Sequence, residues 1–514
     1  MEKNILRSRV GEREDRSVIR FLSSIEDDRA IFDDDVVGTE VHDLMLYACG
    51  ILSFDELRAI LGALEKVRRE GNSLLADAGS LPYEDVHPVV EARVIKLIGL
   101  DIGGKLHSAR SRNDQVNVDA RLKVRRDLLE LLGGLDRLAA ALLSRAGELS
   151  SLPAPLYTHL QPAQTGVFGH YFLHYCAGVL RSVERLQEAF RRVNQNPLGA
   201  CAVGGTSFPI DRRVTTVLLG FDSSLRNSLD AVSARDCFLE VLADLAILAA
   251  DLSRLAEDLI LFSSHEFGFV ELSDDYSSTS SALPQKKNPD TLELVKGKAG
   301  EFAGKFVQVF STVKGTPSGY VRDFQEVKPP LFSALESMKL LVSVTRGAVL
   351  SLKVVPSRME VTLRGGKLNA LDIAEFLVQE HGLSFRQAHE CVGNLIGANP
   401  AAPLEEVLTS GAIEEFVARQ YHKEVSVDQE ALSRHFDPLY CLNRRKSAGS
   451  PNPSDVAEQV EAFSSWRAHL RKRTSELVDK LKAAEKLRGE LVDAALAGDE
   501  PLLLDKLEKS MNRA

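Results

Sequence analysis

From Arg121 to Leu149 the chain places Leu122, Leu128, Leu129, Leu132, Leu135, Leu138 and Leu142 at three- and four-residue steps, an apolar stripe of helical period. Comparable runs are expected at about 167–193, 229–262, 290–313 and 331–354. These are helices of roughly 20 to 30 residues against an average of about 11–12. Helices this long with broad stripes bury them against one another, so the pattern predicts a long-helix bundle. Breaks fall at Leu152 to Pro155, Asn196 to Gly199, Gly204-Gly205, the hydroxyl-rich stretch Ser277 to Ser281, and Gly315 to Gly319, all read as loops. Gly365-Gly366 separates the bundle from shorter elements. The expected organisation is a first domain at 1–105, the bundle at 106–357, a third domain at 358–455 and a tail at 456–514.

In that tail Phe463, Leu470, Leu477, Ala484 and Leu491 recur every seven residues, while Arg467, Thr474 and Arg488 occupy the alternate seam positions. A half-polar seam favours a long helix packed on its own protein with a solvated charged face over a helix that binds a partner. The basic run Arg467 to Arg473 is followed at once by acidic residues and reads as part of that face.

Composition changes the picture little. Hydrophobic residues make up 44% and charged residues 26%, a globular balance, and 35 Gly, 19 Pro and 6% aromatics lean towards helix. The net charge of −10 gives no electrostatic footprint for nucleic acid or an anionic membrane. Cys49, Cys176, Cys201, Cys237, Cys391 and Cys441 form no Cys-x-x-Cys pair and are expected to be reduced. The charged N-terminus has no apolar signal-peptide core, and no stretch of 18 apolar residues follows. The expectation is a cytoplasmic metabolic enzyme.

Three polar segments interrupt the helical patterning. Leu106 to Gln115 packs two arginines, an amide and small hydroxyls into one stretch, which suits a carboxylate-binding turn, because guanidinium forks match carboxylates, or simply a polar helix start. Tyr157 to Gln164 holds His159 between Pro155 and Pro162, on a loop where general acid–base use is open. His170 and His174 lie four apart but lack a third metal ligand and read as core or interface residues. Ser277 to Glu293 runs from a hydroxyl-rich loop into a helix, with Asn288 expected as N-cap and Pro289 as the first helical residue. Lys286 and the helix terminus there would form an anion site beside a serine, or the loop is a linker. No phosphate-binding glycine loop and no Gly-x-Ser-x-Gly elbow occur.

Taken together and in this order, the three segments resemble the fumarase/aspartase superfamily and, within it, the argininosuccinate lyase family. The stretch Thr279-Ser280-Ser281-Ala282-Leu283-Pro284-Gln285-Lys286-Lys287-Asn288 is similar to the superfamily signature Gly-Ser-Ser-x-Met-Pro-x-Lys-x-Asn. Gln-Lys-Lys-Asn-Pro-Asp at 285–290 and Ser-Arg-Asn-Asp-Gln at 111–115 are the forms typical of argininosuccinate lyases. Ser24-Ile25 with Asp28, Glu84 to His87, Arg235-Asp236, Tyr320 to Lys328 and Phe385 to His389 add to the match, which spans roughly residues 1 to 455.

The resemblance implies a mainly α, three-domain fold whose central bundle assembles into a tetrameric 20-helix core, with each site built from three subunits. It implies the reversible anti elimination of argininosuccinate to arginine and fumarate, with no metal or organic cofactor. Ser280 matches the family's base, Lys286 and Asn288 the groups that hold the carboxylate and its developing charge, His159 the second catalytic residue, and Glu293 its orienting partner. Ser24, Asp28, Arg112, Asn113, Thr158, Gln161, Tyr320, Gln325 and Lys328 fall at substrate-binding positions or in the same motifs. Three departures stand out: Thr279 replaces a glycine, where a positive φ would be costly, Ala282-Leu283 alters the packing of the loop, and Ala109 adds a methyl beside the carboxylate-binding turn. Two other readings remain at this point, a sister lyase acting on adenylosuccinate or another succinyl adduct, and a silent structural relative like the lens delta-crystallins.

Overall fold

The computed structural model describes residues 15–75 and 83–511, so the charged N-terminal stretch through residue 14 lies outside it. Helices α1 (Phe32–Ala48), α2 (Phe54–Glu70) and α3 (Val86–Ile98) form the N-terminal region. Ser53 opens α2 with a capping box closed by Glu56. The bundle consists of α4 (Arg112–Glu148), α5 (Phe168–Val193), α6 (Asp236–Ser263), α7 (Asp290–Val313) and α8 (Lys328–Ser351). Helix α4 packs on α5 and α8, α6 on α5 and α7, and α7 on α8.

Four of the five boundaries fall within a few residues of the periodic runs, except that the 229–262 run divides into a short helix Ser228–Ser233 and α6. Helix α4 differs most, starting nine residues before the run that marks it. Ser111 is its N-cap, and its first turns carry Asp114, Gln115, Asn117 and Asp119, all buried although polar. A hydrophobic pattern cannot register a helix face buried through polar side chains.

The segment after α4, read as a Pro-punctuated loop, is a hairpin of β1 (Pro153–Thr158) and β2 (Gln161–Val167). Its two-residue turn, His159-Leu160, has φ of 55° and 58°. Two positive values define the turn whose twist matches paired strands, normally made with Asn or Gly. A second small hairpin pairs β3 (Ser278–Thr279) with β4 (Lys287–Asn288), one strand on each side of the 280–286 loop.

Past α9 (Pro356–Gly365), helices α10 (Ala370–His381), α11 (Phe385–Ala398) and α12 (Ser410–Tyr421) enclose a separate apolar core around Ile373, Leu377, Cys391, Ile413 and Val417. The chain then returns along the bundle as the 45-residue α13 (Pro453–Ala497), followed by α14 (Glu500–Met511). Helix α13 lies on α4 and α5. Leu470 and Leu491 are buried, Trp466 donates to Glu184 at 2.8 Å, and Arg467 pairs with Asp136 at 2.8 Å. The tail is therefore packed on its own protein.

Helix α7 is the least covered member of the bundle. Leu294, Val307 and Phe310 are 63%, 58% and 48% exposed, and Gly297, Gly300 and Gly304 have open space where a Cβ would stand. Leu340 on α8 and Ile247 on α6 are exposed as well. All six cysteines are unpaired, and among the described residues no helix is long and apolar enough to cross a membrane.

Candidate active site

One end of the bundle gathers seven of the residues singled out from the sequence. Lys328, at the start of α8, is buried and its ammonium is paired with the fully buried carboxylate of Asp28. Ser24 Oγ donates to the other oxygen of Asp28 at 2.8 Å. Burial alone would depress the Lys328 ammonium, but Asp28 outweighs it, with Asp85 and Tyr320 adding to its pull, and the pKa is raised. Gln325 donates to the carbonyl of Leu22 at 3.1 Å, so the turn before α8 is tied to the N-terminal region. Tyr320 packs against Phe324 and beside Ala200, Leu225, Ala231 and Val232. Arg112 and Asn113 open α4 at the same end. Arg112 lies 3.0 Å from Asp85 and 3.9 Å from Glu84, while Arg322 reaches Glu84 at 2.8 Å. Asn113 Nδ2 donates to the carbonyl of Ala202 at 2.8 Å.

Ala109, just before α4, takes φ of 60°. The strain that the sequence suggested for Thr279 falls here instead. Thr279 is a strand residue of β3 and is not among the residues with positive φ.

Beneath this cluster Asp35, His87 and Asp119 bring ligand-type atoms within 4.8 Å of one another, all buried. His87 Nδ1 lies 3.0 Å from Asp35 and 3.5 Å from Asp119. Gln115 also donates to Asp35, and the positive charge of Arg110 faces both carboxylates. Burial and Arg110 push His107 down to about 3, leaving that ring neutral.

The opposite end holds the remaining candidates. Thr158, His159 and Gln161 are exposed at the β1–β2 tip, which is braced by Tyr157 against Phe262, Phe267 and Phe269 at centroid distances of 6.4, 5.7 and 6.4 Å. Non-glycine residues with positive φ cost of order 1–3 kcal/mol each and persist where surrounding structure imposes them, often at active sites. Ser280 lies in the β3–β4 loop, and its Oγ accepts the backbone N–H groups of Leu283 at 3.0 Å and Ala282 at 3.3 Å. Two amide dipoles on one oxygen favour its anionic form. Lys286 forms no ion pair among the described residues, whereas the adjacent Lys287 is tied to Asp274 at 2.8 Å and Glu271 at 3.4 Å. Asn288 is not the N-cap of α7. It lies in β4, its Nδ2 3.5 Å from Ser278 Oγ, and Pro289 takes the cap position, so the helix begins at Asp290. Glu293 is exposed in the first turn of α7.

These two ends are far apart in one chain. Helix α4 has 37 residues and α7 has 24, and at 1.5 Å per residue they span about 55 and 36 Å. Among the described residues no hydrogen bond or ion pair links the His159 hairpin, the Ser280 loop and the Lys328 cluster, and none joins His159 to Glu293. Glu84 and Asp85 lie in the Glu84 to His87 match, where the sequence gives them no role of their own. Their function as acceptors for Arg112 and Arg322 follows only from the fold.

A mainly helical fold built on a long-helix bundle is shared with the fumarase-type lyases. A solved EDDS lyase in complex with formate superposes with a TM-score of 0.85 at 26% identity, covering 94% of this chain and 95% of that one. A class II fumarase from Schistosoma mansoni shares the fold at a TM-score of 0.65 and 16% identity, covering 80% and 90% of the two chains. The lyase family profile matches residues 9–304, and that of the argininosuccinate lyase C-terminal region matches 367–433. The argininosuccinate lyase of Thermus thermophilus is 43% identical, covering 88% of this chain and 96% of its own. That of Nitrosopumilus maritimus is 38% identical, covering 95% and 100%. The chain belongs to the argininosuccinate lyase family.

Proposed function

We propose that the protein cleaves argininosuccinate reversibly to arginine and fumarate, a carbon–nitrogen lyase of arginine biosynthesis acting in the cytoplasm. The observation that carries this reading is the 43% identity over nearly the whole of a named argininosuccinate lyase. The geometry around Ser280 and Lys286 fits the chemistry.

The reaction removes a proton from carbon next to a carboxylate, which needs a base and a way to hold the resulting charge. Ser280 is the base. Its oxygen sits on two amide N–H groups, which lower the cost of the alkoxide. That oxygen takes the carbon-bound proton, and the electron pair moves into an aci-carboxylate held by Lys286 and Asn288. The carbon–nitrogen bond then breaks, its electron pair leaves on the guanidino nitrogen, which receives a proton, and fumarate remains. His159, oriented by Glu293, is the second catalytic group. Thr158, Gln161, Ser24, Asp28, Arg112, Asn113, Tyr320, Gln325 and Lys328 hold the substrate, and neither metal nor organic cofactor takes part.

The protein acts as a homotetramer. Residues separated by about 36–55 Å in one chain meet only if bundle ends of different subunits come together. The exposed apolar side chains and open glycines of α7 supply a face for close helix packing. Purified protein is expected to release fumarate from argininosuccinate, seen as rising ultraviolet absorbance, and Ser280→Ala to abolish this with the tetramer intact. Turnover of adenylosuccinate instead, or full activity in Ser280→Ala, overturns the proposal.

A further inference from the structure

Asp114 is a buried carboxylate with no part in the chemistry above, and it ties the start of α4 to the loop around Gly199 and Cys201. One oxygen accepts the N–H of Ser111 at 3.0 Å and closes the cap of α4. The other accepts the N–H of Gly199 at 3.1 Å and of Cys201 at 2.8 Å. No cation pairs with it among the described residues. Arg110 donates to Thr39, and the guanidinium of Arg212 is spent on the carbonyls of Leu198, Leu225 and Asn196 at 2.6, 2.8 and 3.2 Å.

The loop so held has an unusual course, with φ of 90° at Gly199 and 53° at Cys201. A Cβ on Gly199 would stand 2.7 Å from Arg212 Cγ, so the loop is pressed close to that side chain. The next carbonyl, of Ala202, accepts from Asn113 Nδ2 at 2.8 Å. Asp114 therefore fixes the loop whose carbonyl aligns the amide of its own neighbour in sequence.

We infer that Asp114 is a positioning residue for substrate binding: its carboxylate clamps the 199–202 loop onto the start of α4, and the loop in turn orients Asn113. The assignment rests on the lyase reading, which gives Asn113 its place against the substrate. An amide at position 114 could not replace the carboxylate, because its NH2 would face a backbone N–H on one side or the other. The charged groups facing Asp114 are Arg110 and Arg212, with the Cys201 thiol beside it. Burial outweighs the three amide donors and lifts its pKa to about 6. Protonation below that value turns one acceptor into a donor and loosens the clamp.

The test combines amide hydrogen exchange with steady-state kinetics on argininosuccinate for the wild type and Asp114→Asn. Exchange is expected to quicken at Gly199 and Cys201. KM should rise about tenfold or more, as for one lost buried hydrogen bond to a charged acceptor, with kcat little changed. In the wild type KM should rise as pH falls through about 6, and this limb should be missing in the variant. Unchanged exchange at those amides, or an unchanged KM, overturns the inference. Should the variant not fold, the wild-type KM profile decides, and a flat profile across about pH 5 to 7 overturns it. The exchange readout needs no substrate, so an absence of argininosuccinate turnover counts against the lyase reading and leaves the clamp to be judged by exchange.

Discussion

The Lys328–Asp28 pair joins the start of the eighth helix to the N-terminal region, and breaking it has a calculable cost. Both side chains are almost wholly removed from solvent, at 5% and 0% exposure. Substituting Lys328→Met leaves Asp28 as a buried carboxylate with only Ser24 Oγ and the weak 3.4 Å donor Val86 N–H. Losing one partner of a buried pair costs about 3–5 kcal/mol, while replacing both is far milder. The expectation for urea unfolding at fixed protomer concentration is a loss of about 3–5 kcal/mol for Lys328→Met and for Asp28→Asn. The double variant should lose less than the two together, with a coupling of about 2 kcal/mol or more. The sign with pH also follows. The folded pKa of Lys328 is raised, so its contribution is complete below the unfolded lysine value and fades only as pH climbs through the higher folded one. Losses below about 1 kcal/mol that simply add would refute the reasoning, because they would mean the pair is solvated.

Relief of backbone strain separates two positions that look alike in the sequence. Ala109→Gly should stabilise the fold by about 0.5–1 kcal/mol, since the strain of a positive φ exceeds the entropy that glycine adds to the unfolded chain; Thr279→Gly should bring neither stability nor turnover, and thermal melts with fumarate-release rates check both. Leu470→Ala removes a side chain buried between the tail helix and the bundle, and should cost about 2–5 kcal/mol in urea unfolding; a loss under about 0.5 kcal/mol would mean the tail is detached in solution.

Much of the bundle is legible from hydrophobic period alone, because Leu and Val stripes mark the faces that touch. What the stripes omit is polar burial. The first turns of α4 are held by Asp114, Gln115 and Asn117, which bond to the 199–201 loop, Asp35 and the carbonyl of Ala231, each tens of residues away. The His159 hairpin escapes notice because prolines mask the alternation of its strands. Asn288 has the composition of a cap yet serves a strand, since pairing with Ser278 sets the geometry of the loop between them. The site candidates are legible in the sequence as three polar segments and the motifs that match them. That they occupy opposite ends of one bundle follows from helix lengths once the helices are paired, and no local spacing carries that information.

A lyase site shared between the ends of different subunits can be read out by mixing inactive tetramers. Ser280→Ala and Asn113→Ala proteins, each inactive towards argininosuccinate alone, are dissociated together, reassembled and assayed for fumarate. Hybrid tetramers contain some sites that receive the intact Ser280 loop from one subunit and the intact Asn113 from another, so activity should return. A mixture as inactive as its parents, with hybrids confirmed by mass, would contradict the account.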